Sequence, residues 1–324
     1  MKKTLIALAA VAATGAAMAQ SSVTLYGVAD IGITDTNATG TKLKLDSSGT
    51  MNNTGSRWGI RGTEDLGGGL KAGFNFEAQV WLDDGAVKES TVPNNPPNPK
   101  NGNYFDRAAY MTLSGGFGEL SLGRRLNPAF HTAAAWELTG AANYSAVSSQ
   151  FGAVLAGVRT SDMIMYTSPN MSGFVAQFGH RLKGDNGTKA SNDLSLRYAQ
   201  GPLSVAFNYN NNAGRTGNNK HLGASYDFGG FKLAGAWIDP AGAAKGFAIG
   251  GSTTVGTVTL TADFVRDTKA KDTDFVLEAK YPLSKRTFAY AAYLRDGKKK
   301  DGAFKAATAR KDVGGFGLGI RHNF

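Results

Sequence analysis

The stretch Leu70-Lys71-Ala72-Gly73-Phe74-Asn75-Phe76-Glu77-Ala78-Gln79-Val80-Trp81-Leu82 decides how this chain is read. Leu70, Ala72, Phe74, Phe76, Ala78, Val80 and Leu82 form one apolar face, and Lys71, Asn75, Glu77 and Gln79 sit between them. Period two is the repeat of a strand with two unlike faces. It recurs upstream in Val23/Leu25/Gly27/Ala29/Ile31/Ile33, with Thr24, Tyr26 and Asp30 opposite, and downstream as far as Phe316/Leu318/Ile320/His322/Phe324. About sixteen segments follow the pattern: 22–34, 56–64, 69–83, 105–114, 118–125, 159–168, 173–182, 192–200, 203–211, 219–228, 231–239, 246–252, 257–266, 273–281, 286–295 and 312–324. A strand of roughly 9–11 residues crosses a bilayer.

The connections alternate in length. Short ones such as Leu66-Gly67-Gly68-Gly69, Gln200-Gly201-Pro202 and Pro282-Leu283-Ser284-Lys285 carry the residues of tight turns. Long ones include 35–55, 84–104, 126–158 and 296–311. Short turns at one end and long loops at the other describe an up-and-down transmembrane barrel. A soluble sandwich also alternates, but the face opposite the apolar one here carries mid-strand charge: Asp30, Arg57, Arg61, Glu77, Arg181, Asp193 and Arg197. A barrel points these into a wet lumen. Tyr26, Trp58, Tyr110, Tyr166, Tyr198, Tyr209, Tyr226 and Tyr281 fall near the ends of these segments and are expected in two interfacial girdles.

Residues 1–19 read as a cleaved signal peptide. Lys2 and Lys3 precede an apolar run from Leu5 to Ala13, and Ala17-Met18-Ala19 has the small-x-small cleavage pattern, leaving a barrel over 20–324. No other stretch approaches the apolar length of a membrane helix. The 324 residues include no Cys, which excludes disulfides, thiolate metal sites and cysteine nucleophiles. The four histidines, His131, His180, His221 and His322, have no metal spacing, so no metal or cofactor is expected. The net charge of +10 is spread over strands and loops without an interleaved aromatic motif, so nucleic acid is not expected as a partner.

The chain resembles the general porins of Gram-negative bacteria, those of beta-proteobacteria above all. The resemblance is carried by Ser22-Val23-Thr24-Leu25-Tyr26-Gly27, by 56–67 with its Ser56-Arg57-Trp58-Gly59 start, by 116–124, and by the ending Gly319-Ile320-Arg321-His322-Asn323-Phe324. It implies an all-β, 16-stranded antiparallel barrel in the outer membrane, assembled as a homotrimer with a water-filled pore per subunit and no enzymatic activity. The terminal Phe324 would be the signal read by the barrel-assembly machinery. The third long loop, 126–158, would fold inward and face wall arginines at the constriction. Those arginines would be Arg57 and Arg61 on the second strand, Arg107, whose parity opposes Tyr110, Arg124 before the loop and Arg159 after it, with Arg125 at the loop root. The loop itself carries Glu137 as its single acid and no Lys or Arg, so the constriction is expected to be positive and the pore to favour small anionic or neutral solutes. Met165, where relatives carry a polar or basic residue, is expected in the lumen, and 127–138 suggests a short helix on the wall. The basic stretch 295–312 is expected either to contact lipopolysaccharide phosphates beside the outer-membrane lipid or to act as a funnel that raises the local anion concentration. A substrate-specific channel and a closed structural or adhesion barrel are the alternatives.

Overall fold

The computed structural model describes residues 21–36, 43–87, 104–155, 157–184, 189–211, 217–297 and 314–324. The signal-peptide reading of 1–19 and most of the basic stretch 295–312 lie outside these residues. The spanning strands are β1 (Ser22–Thr36), β2 (Arg57–Gly67), β3 (Leu70–Gln79), β4 (Ala108–Gly115), β5 (Gly118–Leu126), β6 (Arg159–Thr167), β7 (Phe174–Arg181) and β8 (Ser191–Gln200). They continue as β9 (Leu203–Asn210), β10 (Asn219–Asp227), β11 (Phe231–Asp239), β12 (Gly246–Val255), β13 (Val258–Asp267), β14 (Asp272–Pro282), β15 (Thr287–Arg295) and β16 (Gly315–Asn323). Each pairs antiparallel with its neighbours in sequence, and β16 returns to β1 with Ile31 opposite Ile320. A three-residue strand, Lys44–Asp46, adds to the upper part of β1, while the lower part of β1 pairs with β2. The closed ladder leaves no spanning edge, which is what a sheet in hydrocarbon requires.

Two sequence expectations shift here. The third segment ends at Gln79 rather than 83, because Trp81 turns to accept from Gly85 and to donate to Ala86. Tyr26 and Tyr110 are not girdle residues. They point into the lumen, where the Tyr26 hydroxyl donates to Asn75 Oδ1 at 2.8 Å and Tyr110 accepts from Asn75 Nδ2 at 3.3 Å. Their polar tips find wall partners instead of headgroups. Tyr166, Tyr209, Tyr226 and Tyr281 do stand exposed on the outer face.

The chain terminus completes the closure. Gly27 and Phe324 exchange two backbone hydrogen bonds, at 3.0 and 3.1 Å. The Phe324 ring lies over Gly27, with Cζ 2.3 Å from where a Cβ would stand. Glycine is thus the residue that gives the ring its seat.

Between β5 and β6 the chain turns inward. Helix α1 (Pro128–Ala134) begins at Asn127, whose side chain accepts from Phe130 N, with Pro128 pre-set for the first turn. Helix α2 (Ala146–Phe151) is capped by Ser145 and was not anticipated from the sequence. Helix α1 lies against β8 and β9, and α2 against β13 and β14. Part of the wall's inner face there is apolar: Ala206, Ala236, Ile238, Ala248, Val265 and Val276 join Trp136, Tyr144, Val147 and Phe151 in one buried cluster. Trp136 occupies the space over Gly223, where a Cβ would meet its ring at 2.4 Å. This half of the lumen is a docking surface for the loop.

Gly27→Val is expected to displace the Phe324 ring and to cost about 1–3 kcal/mol by overpacking. It is read as a smaller heat-resistant folded fraction by gel band-shift, with Ala29→Val as the control.

Candidate functional site: the constriction

The inward loop leaves open the side of the lumen walled by β2 to β6. Glu77 on β3 organises it. Arg107 Nε donates to Glu77 Oε1 at 2.7 Å, and Arg57 Nε lies 3.6 Å from Oε2. Tyr26 donates to Oε2 as well, at 3.0 Å, holding the carboxylate from below. Arg57 Nη1 also donates to Thr54 Oγ1 and to the Gly55 carbonyl, each at 3.0 Å, so the 43–56 loop is tied to the same cluster. Arg159 Nε donates to the Arg107 carbonyl at 3.0 Å. Arg124 donates through Nε to the Asp106 carbonyl at 2.5 Å and through Nη1 to Ser161 Oγ at 2.8 Å. Arg57, Arg107, Arg124 and Glu77 all lie within electrostatic range of Arg159. A cavity of about 420 Å³ opens beside them, bounded by Arg107, Arg159, Thr54, Asn143 and Ser148.

Each arginine reaches this place by a different local device. Arg57 follows alternation: it opens β2 on the face opposite Trp58. Arg107 does not. Parity with Tyr110 would have sent the two to opposite faces, yet both face the lumen. Arg107 precedes the first residue of β4, so strand alternation does not bind it, and its side chain turns to Glu77. Arg124 and Arg125 straddle a register break after Gly123, whose φ of +128° suits glycine. Consecutive side chains thereby reach separate partners, and Arg125 stacks over Tyr110 at 4.5 Å and pairs with Glu119 at 2.8 Å. Arg159 follows Val158, whose φ of +68° is costly for a β-branched residue, of order 1–3 kcal/mol. That turn is held by the bond from Asn127 N to the Val158 carbonyl.

The two other predicted site residues sit apart. Arg61 is exposed, four residues and two pleat repeats nearer the periplasmic end than Arg57, with its guanidinium 5.1 Å from the centre of the Tyr26 ring. Glu137 is buried in the loop's own fold. It accepts from Thr139 Oγ1 at 2.6 Å, Ala141 N at 2.7 Å and Ser145 Oγ at 2.9 Å. Burial holds its carboxyl above the usual range, with Glu278 adding repulsion. Met165 faces inward, fully buried, as the sequence suggested.

The sequence reading gave no site role to Glu77, although it placed Glu77 on the inner face. It also missed the anchor at the loop tip. Tyr144 donates to Glu278 Oε2 at 2.6 Å and accepts from Asn53 Nδ2 at 2.7 Å. Arg321 on β16 donates to Asn53 Oδ1 at 2.7 Å, tying the same Asn53 to the far wall.

Glu137→Ala would leave three loop donors without their acceptor, at about 1–3 kcal/mol each if they stay buried. The expected outcome is a loosened loop tip, seen as raised current noise and conductance in single channels whose ion preference keeps its sign.

Comparison with known proteins agrees with this architecture. Residues 4–301 match the family described as Gram-negative porin. The outer membrane porin protein 32 of Delftia acidovorans is 34% identical over the whole of both chains. An outer membrane porin protein of Bordetella pertussis is 35% identical, covering 73% of this chain and 69% of that one. Among solved structures, an anion-selective porin from Comamonas acidovorans superposes with a TM-score of 0.68 at 29% identity, over 94% of this chain and 100% of that one. A closed barrel of sixteen antiparallel strands with an inward loop and these relatives place the chain in the Gram-negative porin family, as a channel of the outer membrane.

Proposed function

We propose that this porin passes small hydrophilic solutes with a preference for anions, and that Arg57, Arg107, Arg124 and Arg159 form its selective constriction. The observation that carries the proposal is the charge balance. Four guanidinium groups share two carboxylates, Glu77 and Asp106, and much of their hydrogen bonding goes to main-chain carbonyls without formal charge. The arginines are thus oriented without being neutralised. A narrow water path between low-dielectric walls focuses the field of the excess charge. The similarity to an anion-selective porin supports the same reading.

In this reading Arg61 is a lower wall charge and Glu137 shapes the loop rather than facing the solute. The protein works as a homotrimer in lipid and lipopolysaccharide, residues 1–19 are its cleaved signal peptide, residues 20–324 are the mature barrel, and Phe324 is read by the assembly machinery. It needs no cofactor and performs no catalysis.

The test is the zero-current potential of refolded trimers across a KCl gradient. A negative dilute compartment is expected, since chloride then leads potassium. A positive one overturns the anion assignment. Removing one charge about 7 Å from the ion path changes each ion's energy by about 0.6 kcal/mol at the dielectric of water. The change has opposite sign for chloride and potassium, so Arg107→Gln is expected to lower the chloride-to-potassium permeability ratio about sevenfold. Glu77→Gln acts the other way in charge but frees Arg57 and Arg107 from their anchor. The ratio should rise while current noise increases.

A further inference from the structure

The lumen on the periplasmic side of α1 holds a cation, Arg197, that the constriction does not use. Thr132 of α1 donates to Ser195 Oγ on β8 at 2.6 Å, and Ser204 on β9 donates to the Ala135 carbonyl at 2.7 Å. Arg197 lies two residues beyond Ser195 toward the short turn after β8, on the same inner face, opposite Val175 of β7 and Ala206 of β9. Two strand residues span about 6.6 Å, so Arg197 emerges just beneath the loop.

Its environment differs from that of the constriction arginines. Among the described residues, Arg197 has no hydrogen bond and no carboxylate within ion-pair distance, and its Nε is enclosed without an acceptor. The residue is half-buried, so its terminal NH groups are what an incoming solute meets. Arg125 and Arg197 both lie within electrostatic range of His131 on α1. His131 Nδ1 is 3.0 Å from Gln177 Oε1, and Gln177 Nε2 donates to Thr167 Oγ1 at 3.1 Å, so these side chains make a continuous polar floor. Burial pushes His131 down to about 4, so it stays neutral near pH 7. Among the described residues, Glu119 pairs with Arg125 and no acid pairs with Arg197.

We infer that Arg197 forms a second anion station on the periplasmic side of the inward loop that holds small oxyanions after they clear the constriction. A planar guanidinium takes two oxygens of a carboxylate or phosphate at once, which a spherical chloride cannot exploit. The station therefore adds discrimination between oxyanions and halide that the constriction's field does not supply. It rests on the anion-preferring reading of the pore.

The test is chloride current through single trimers as inorganic phosphate is added to the periplasmic side. Saturable reduction of the current is expected for the unaltered protein. Arg197→Gln is expected to raise the half-blocking phosphate concentration about tenfold or more, while the zero-current potential in KCl keeps its chloride sign. Arg197→Lys keeps the charge but loses the fork, and should retain less than half of the block. Band-shift of each variant confirms folding. A half-blocking concentration unmoved by Arg197→Gln overturns the station, as does block lost only with Arg107→Gln. An unaltered channel of cationic sign that phosphate still blocks through Arg197 would overturn the constriction reading and leave the station standing.

Discussion

The constraint behind everything else is that a backbone at bilayer depth has no water to bond. Each N–H and C=O left open there costs several kcal/mol. A sheet meets this demand by closing, and here β16 closes on β1 with the final residue still bonded to Gly27. Closure fixes the alternation: every strand must offer one face to lipid and one to the inside. The outer face is left to Leu, Ile, Val and aromatic residues, and any selectivity has to be built on the inner one.

A sixteen-stranded barrel is wide enough for an aqueous channel, so on its own it selects poorly. The chain narrows it with the 126–158 loop, and the wall is prepared for that. Between β9 and β14 the inner face carries alanines, valines and Ile238 that the loop covers, set among polar groups such as His221, Asp263 and Glu278. Between β2 and β6 it carries the arginines and Glu77, with Met163 and Met165 buried on β6. The loop's apolar side goes to the first half, so the water path is left along the second. The asymmetry of the pore is thus written into the wall before the loop arrives. The loop tip is then pinned from both sides, by Glu278 and Asn53 to Tyr144.

The strands were legible because alternation and turn chemistry agree along the chain, and sixteen of sixteen spanning segments appear within a few residues of where the pattern put them. What the pattern missed is instructive. Tyr26 and Tyr110 looked like interfacial residues by position, but their parity already grouped Tyr26 with Asp30 and Tyr110 with Thr112, away from Met111 and Leu113, and parity is the stronger signal inside a strand. Arg107 was expected in the lumen because its parity opposes Tyr110, yet Tyr110 faces the lumen too, and Arg107 gets there because it stands outside the strand. Glu137 looked like the acid facing the arginines because it is the loop's single acid. Yet a lone carboxylate followed at two, four and eight residues by Thr139, Ala141 and Ser145 finds local donors first. The buried docking wall was half legible: alternation gave β11 one apolar face through Phe231, Leu233 and Trp237. That Ala234, Ala236 and Ile238 make the other face apolar too marks where a loop must lie.

Selectivity by arginine carries a design difficulty of its own. Guanidinium groups gathered at a narrow place repel one another, and the obvious remedy, a carboxylate for each, would erase the field they exist to make. Here the difficulty is met with neutral acceptors. Carbonyls of Gly55, Asp106 and Arg107 take up donors and set the direction of each side chain without subtracting charge. Glu77, the one acid that pairs directly, serves two arginines at once. Such sites need irregular backbone, because a regular ladder has already spent its carbonyls on neighbouring strands. That accounts for the irregular residues just before β2 and β4, which carry the Gly55, Asp106 and Arg107 carbonyls. The bulge after Gly123 and the strained turn at Val158 serve the other end of these bonds: they aim Arg124 and Arg159 at those carbonyls, so the breaks in an otherwise regular barrel are where donors and neutral acceptors meet.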